Sequence, residues 1–407
     1  MKIDQLRTYV TAPPTGIGGA YWLFVEVTTD DGVTGVGECY GIPFAGDVAA
    51  RMVEDVFERY FVGVDPHRVE TLFRRVYSAG FTQRPDLSLM GAFSGLEIAL
   101  WDILGKAHDV PVVQLLGGRF HERLRTYTYL YPKSVWPEAF PGEDEGDVYH
   151  DPEAAAQAAR RYVDLGFTAV KQDPTGPYAV QGGRELSLDE LDRSEANVRA
   201  LRDAVGTRAD LLFGTHGQMT TSSAIRLARR LEPYDPLWFE EPCPPDQIGA
   251  LRRVAASTTV PIATGERLTT RREFHAALEA GASILQPNVG RSGGLWETQK
   301  IAALAELYNA QIAPHIYCGP VAHAAATHLG FSLPNFLILE TIQTAFHDDV
   351  LRQRLTWESG YMLPPARPGL GIELDIGVLE AHPYSQGGAL HLEMTQRPVD
   401  SDNSEID

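Results

Sequence analysis

Positive charge and cysteine are what this chain has least of. Its 407 residues hold 35 Lys and Arg against 54 Asp and Glu, a formal net charge of −19. That balance repels nucleic acid and anionic membrane, so neither is expected as a partner. An anionic substrate would also be repelled at long range, and a site that binds one must supply cations locally. Lysine is the rarer base, at positions 2, 106, 133, 171 and 300 alone, so a lysine at a chosen place is informative. Three cysteines, Cys39, Cys243 and Cys318, are too few and too scattered for a disulfide framework or a zinc pattern. No apolar run approaches the roughly 20 residues that span a bilayer. The N-terminal MKIDQLRTYV alternates like a strand and lacks a signal core, so a cytoplasmic protein is expected.

What is present is a large apolar fraction, 44%, on a chain long enough for a barrel and a companion domain. Residues 2–10, 21–29 and 34–40 read as strands, with Asp30-Asp31-Gly32 as a turn. Helical periodicity follows at 46–60, 67–79 and 90–107, and glycines at 117 and 118 close this part. An α+β domain over 1–122 is the expectation. From 124 the pattern becomes an alternation. Apolar runs at 124–130, 168–173, 210–215, 237–241, 260–266, 283–288, 310–315 and 335–340 are separated by amphipathic stretches such as 152–165, 189–205, 219–232, 270–280 and 294–308. Eight strands with helices between them predict a closed parallel α/β barrel over 123–360. A doubly wound sheet is the rival, but no G-x-G-x-x-G follows an early strand. Residues 361–395, rich in Pro and Gly, read as a segment returning to the first domain, and 396–407 as a disordered acidic tail.

In such barrels the active site lies at the C-terminal ends of the strands. Here those ends carry Lys171, Gln172 and Asp173, then Gly214, Thr215 and His216, then Glu240 and Glu241, and finally Glu266, Asn288, His315 and Glu340. Each alone reads as a loop charge, a helix cap or a core histidine. Their joint placement at one end of successive strands argues for a site. The chemistry they suit is removal of a proton next to a carboxylate, which creates a dianion. Glu240 and Glu266 have the oxygen ligands Mg²⁺ prefers, and a divalent cation there would offset that charge. An imidazole near neutral pKa moves the proton.

The ordered motifs GVTGVGE (32–38), IALWDILGK (98–106), WFEEP (238–242), ATGERL (263–268), ILQPN (284–288), SGG (292–294) and APHIYCGP (313–320) resemble the enolase superfamily. The resemblance is to its mandelate racemase / muconate lactonising branch, and within that to galactonate-dehydratase-like acid-sugar enzymes. It implies a modified (β/α)₇β TIM barrel under an α+β N-terminal cap completed by the C-terminal segment. Cap loops near 12–20 and 40–46 would close on the substrate. It implies Mg²⁺ on Glu240 and Glu266, a strand-7 base at His315, a strand-8 acid at Glu340 and a strand-3 proton donor at His216. Lys171 matches the first lysine of the strand-2 motif, with Asp173 where some relatives have a second. Asp173 and Asn288 are expected to face substrate. A small sugar-acid substrate and a homo-oligomer are further implications.

Two positions depart from the pattern. Gly214 stands where the strand-3 metal carboxylate belongs, so water, Asp173 or substrate must complete the metal site, or the site is weak or absent. Asn288 replaces the aspartate that pairs with the base, and an amide cannot raise the pKa of His315 by charge. Nearby Arg291 offers a compensating cation. The preferred expectation is a dehydratase in which His315 or Lys171 takes the α-proton and His216 assists loss of a β-oxygen. Racemisation, epimerisation or cycloisomerisation by the same half-reaction is the second. A metal-impaired paralogue that only binds ligand is the third.

Overall fold

The computed structural model describes residues 1–144, 146–176 and 183–392. Three strands open the chain. They are β1 (Ile3–Thr11), β2 (Trp22–Thr29) and β3 (Thr34–Cys39), paired antiparallel in that order. Helices α1 (Gly46–Tyr60), α2 (Val69–Tyr77) and α3 (Leu87–Ala107) follow at the expected places. By length and composition α3 is apolar enough to cross a bilayer, yet every residue from Met90 to Gly105 is buried. It is the core helix of the cap, apolar all round because it is covered all round.

The glycines of GVTGVGE let α3 approach. A β-carbon on Gly37 would lie 1.9 Å from the Gly95 carbonyl oxygen, and one on Gly35 would lie 2.2 Å from that of Ala99. Both are contacts that no side chain can make, so β3 and α3 touch backbone to backbone.

After the short α4 (Val112–Leu115) the alternation begins. In order come β4 (Leu124–Tyr129), α5 (Pro152–Asp164), β5 (Ala169–Gln172), α6 (Leu188–Val205), β6 (Asp210–Gly214), α7 (Thr221–Leu231), β7 (Trp238–Glu240), α8 (Ile248–Ala255), β8 (Ile262–Thr264), α9 (Thr270–Glu279), β9 (Ile284–Leu285), α10 (Gly294–Leu307), β10 (Gln311–Ile312), α11 (Pro320–Ser332) and β11 (Leu339–Glu340). Parallel pairing runs β11-β4-β5-β6-β7-β8-β9-β10. Across the seam from β10 to β11 a single parallel bridge, Ile312 to Phe336, is flanked by Ile312 N–H on the Asn335 carbonyl and Leu337 N–H on the Ile312 carbonyl. Tyr127, Ala169, Leu212, Trp238, Ala263, Ile284, Ala313 and Ile338 form an apolar cluster of their own, one residue from each strand or its edge. That ring is the filled interior of a (β/α)₇β barrel.

The last three strands are shorter than the apolar runs suggest, two residues each. Pro287 and Pro314 supply no N–H to a ladder, so pairing stops just before them and the chain turns into the site loops.

Buried carboxylates bolt the cap to the barrel. Glu38 on β3 accepts backbone N–H groups of Gly319, Val321 and Ala322 at the start of α11. Glu97 on α3 accepts those of Leu295 and Trp296 at the start of α10. Helix N-termini present such unpaired donors and favour negative charge. Asp102 takes the N–H groups of Val36 and Leu370, joining β3, α3 and the return segment. That segment pairs Tyr361 and Met362 with Arg125 and Leu124 at the foot of β4, then reaches the cap through a Thr11–Pro383 bridge and an Ala20 N–H to the His391 carbonyl. The tail expected at 396–407 lies outside the described residues.

The β3–α3 contact yields a test. Gly37→Ala must push α3 off β3 and is expected to lower unfolding stability by ~2 kcal/mol or more, in the range of core overpacking. Urea denaturation reads this as a lower midpoint; an unchanged midpoint would mean the sheet and helix are not in backbone contact.

Candidate active site

Side chains two residues apart on a strand point the same way. One such step beyond the apolar ring lands on Tyr129, Lys171, Gly214, Glu240, Gly265, Gln286, His315 and Glu340. A polar layer therefore lies directly over the apolar one, at the C-terminal mouth of the barrel.

At its centre is a buried ion pair. Lys171 Nζ lies 2.5 Å from Glu240 Oε1 and 3.9 Å from Glu340 Oε1, and 4.7 Å from the centre of the Tyr129 ring. Burial alone would lower the lysine pKa, but Glu240, Glu340 and Glu266 together hold the ammonium above its ordinary value. Glu240 is fully engaged, its Oε2 accepting from Trp238 Nε1 at 2.9 Å and Gln286 Nε2 at 2.6 Å. Burial pushes the Glu340 carboxyl up to about 7 against the pull of Lys171. Its Oε2 accepts the Ile316 N–H at 2.7 Å.

Above this layer stand the loop residues. His216 has φ 50°, a left-handed backbone that turns the chain just past β6. Its Nδ1 lies 3.2 Å from Asp173 Oδ2, and its Nε2 lies 3.5 Å from the Tyr129 hydroxyl. Burial pulls the imidazole pKa down, but the Asp173 carboxylate more than reverses this and raises it to about 9. His216 is a cation at neutral pH. His315 goes the other way, brought down to about 3 by burial against the pull of Glu266. It is neutral. Its Nε2 lies 3.7 Å from Glu266 Oε2, and its Nδ1 lies 3.1 Å from Asn288 Nδ2. Burial opposes ionisation of Glu266, yet the charges of His216, Lys171 and Arg267 keep it below the ordinary carboxylate range.

Six of the eight residues singled out from the sequence thus meet in or beside one cavity. Asp173, His216, Glu266 and His315 line a space of about 260 Å³ together with Tyr40, Tyr129, Tyr131, Tyr149 and Tyr317. Ile17 and Tyr40 from the cap and Leu392 from the return segment roof it. Glu340 and Asn288 stand just behind His315. Lys171 and Glu240 lie beneath, each 1% exposed. Glu241, weighed as a loop charge, is paired with Arg267 at 2.6 Å. Arg291 donates to the main-chain carbonyls of Glu266 and Gly41 and stacks its guanidinium 4.6 Å over the Tyr40 ring.

Among the groups that point into the barrel, Tyr129, Trp238 and Gln286 escaped the sequence reading. The two-residue step could have found all of them, since each shares a face with a residue of the apolar ring or belongs to that ring.

The space over Gly214 is filled. A β-carbon there would lie 2.5 Å from Asp173 Oδ1 and 2.8 Å from the Tyr129 hydroxyl. Asp173 is in turn committed to Tyr129 and His216. Among the described residues no group of three or more His, Cys, Asp or Glu side chains is arranged to hold a metal ion.

Comparison with known proteins agrees with this architecture. Residues 6–117 match the family model for the mandelate racemase / muconate lactonizing enzyme N-terminal domain, and 153–378 match the enolase C-terminal domain-like model. A D-galactonate dehydratase of Ralstonia pickettii is 35% identical over 92% of this chain and 92% of its own length. A D-xylonate dehydratase of Haloferax volcanii is 36% identical over 90% of this chain and 87% of its own. A crystal structure from Sulfitobacter sp., described as mandelate racemase/muconate lactonizing enzyme, superposes with a TM-score of 0.94 at 51% identity, covering 98% of this chain and 100% of that one. The chain belongs to the mandelate racemase / muconate lactonizing enzyme family of the enolase superfamily.

Proposed function

We propose that the chain is an acid-sugar dehydratase, a lyase that removes the proton α to a carboxylate and expels the β-hydroxyl as water. One observation carries this reading. A cationic His216, held by Asp173, and a neutral His315 beside an ionised Glu266 line the same cavity. Groups whose pKa values are driven apart in one site are how a protein assigns acid and base roles. His216 delivers the proton that turns the β-hydroxyl into water. The α-proton leaves toward the Glu266–His315 wall. The tyrosines suit the hydroxyls and C–H faces of a polyol chain. Dehydratases of D-galactonate and D-xylonate among the relatives support a sugar acid as the small-molecule substrate.

Members of the superfamily typically use Mg²⁺, which would bind the substrate carboxylate and the enediolate. The donors here do not fit that ion. Glu240 has both oxygens occupied by Lys171, Trp238 and Gln286. Position 214 has neither a carboxylate nor room for one. The family's catalytic Mg²⁺ site is therefore weakened in this chain, and its charge role falls to Lys171.

Three outcomes test the reading. Incubation with a panel of aldonates and aldarates should yield a 2-keto-3-deoxy acid, and His216→Asn should slow this by ~10²–10⁴-fold, the size of a general-acid contribution. No product from any acid in the panel, with or without added metal, would sink the proposal. A general acid must be protonated, so kcat/KM should fall as pH rises through about 9. Asp173→Asn removes the charge that raises the His216 pKa, and the fall should move to lower pH. Dialysis against a chelator should leave turnover unchanged, with no stoichiometric Mg²⁺ by elemental analysis. One bound equivalent, lost on Glu266→Gln, would refute the account of the metal site.

A further inference from the structure

The roof of the cavity differs in chemistry from its walls. Beside the Tyr40 ring it consists of Ile17 from the cap and Leu392 from the return segment, both aliphatic. Both are held in place. Ile17 sits in the loop between β1 and β2, a run of hydrogen-bonded turns. Gly16 N–H donates to the Pro13 carbonyl, Gly19 N–H to the Gly16 carbonyl, and Trp22 Nε1 to the Gly18 carbonyl at 3.0 Å. Leu392 follows His391, which is fastened to the same loop. His391 Nδ1 donates to the Tyr21 carbonyl at 2.6 Å, its own carbonyl accepts the Ala20 N–H, and its ring meets that of Tyr40 edge-on at 4.9 Å. A β-carbon on Gly19 would lie 2.3 Å from His391 Cε1, so loop and segment touch there. The aliphatic pair is thus a preformed surface rather than two loose side chains.

Positive charge lies at the other end. Lys171 is beneath the cavity, and His216 is the one cationic side chain among the described residues that line it. Arg267 is paired with Glu241, and Arg291 donates to the carbonyls of Glu266 and Gly41. A carboxylate entering the site is drawn toward Lys171 and His216. The far end of an acid-sugar chain then rises to Ile17 and Leu392. A second carboxylate there would lose its water against aliphatic groups with no cation beside it. A terminal hydroxyl would do so at smaller cost, and a methyl gains from burial. We propose that the substrate is a sugar acid with one carboxylate and a methyl terminus, a terminally deoxygenated aldonate, and that Ile17 and Leu392 select it. This rests on the dehydratase reading above and names its substrate class.

The selection is graded. An apolar pocket rejects an added hydroxyl only weakly, by about 10²-fold at most. It rejects a charge more strongly, because nothing there replaces the hydration of the ion. Among six-carbon acids of one configuration, kcat/KM should therefore fall from the methyl end to the hydroxymethyl end to the carboxylate end.

The test compares three acids on the full chain, in the galacto and gluco series: the 6-deoxyaldonate, the parent aldonate and the aldarate. The first should exceed the second by about tenfold in kcat/KM and the third by roughly 10²-fold or more, chiefly through KM. Ile17→Lys sets an ammonium in the roof. The aldarate should then gain about tenfold, the scale of a hydrogen bond to a charged group, and the 6-deoxyaldonate should lose as much. Leu392→Lys makes the same change from the other segment and should act in the same direction, so misfolding of one variant leaves the other to decide. An aldarate used as well as the 6-deoxyaldonate by the native protein, or a preference that neither lysine variant shifts, overturns the proposal. Calorimetry measures binding of the same acids without turnover. If they bind in the stated order and none is dehydrated, it is the dehydratase reading that falls. If they bind alike, or none binds, the selection by Ile17 and Leu392 is refuted.

Discussion

Strand periodicity is the constraint from which the site follows. In a barrel strand one residue in two points inward, so the residue that fills the interior dictates which residue shows at the mouth. Here the ring from Tyr127 to Ile338 seals the centre with apolar side chains. The next inward layer then has to be the floor of the cavity, and it is where Lys171, Glu240, Gln286, His315 and Glu340 fall. Slipping any strand by one residue would bury its charged group in the wall and aim a wall residue at the substrate.

The polar layer survives burial because nearly every group in it has a partner. An isolated ammonium or carboxylate in such a place would be strongly destabilising, and breaking a buried pair costs several kcal/mol. Lys171 and Glu240 neutralise each other, and Trp238 and Gln286 take up the remaining glutamate oxygen. Glu266 stands just above this layer and lines the cavity, 3.7 Å from His315 Nε2.

The cap is placed by the same economy of donors. Glu38 and Glu97 use the unpaired N–H groups that begin α11 and α10, and Asp102 collects two further backbone donors. These contacts set Ile17 and Tyr40 over the barrel mouth, where they close the cavity. The motifs at 32–38 and 98–106 thus serve assembly: Gly35 and Gly37 permit the β3–α3 contact, Glu38 joins the cap to the barrel, and Asp102 ties β3 and α3 to the return segment.

The alternation of apolar runs and amphipathic stretches was enough to establish eight strands, seven intervening helices and an α+β start, because burial on two faces leaves an apolar run that is visible locally. Lys171, Asp173, His216, Glu240, Glu266, Asn288, His315 and Glu340 were also legible, since each sits at or just past a strand end. Their partnerships were not. That Glu240 would be closed off by Lys171, Trp238 and Gln286, that Asp173 would fill the space over Gly214, and that the Asn288 amide would face Nδ1 of His315 depend on side chains from different strands meeting at 2.5–3.2 Å. No local pattern records such distances. Residue types and order came from the chain itself; which carboxylate is closed off and which charge is cancelled were decided only when the barrel brought the strand ends together.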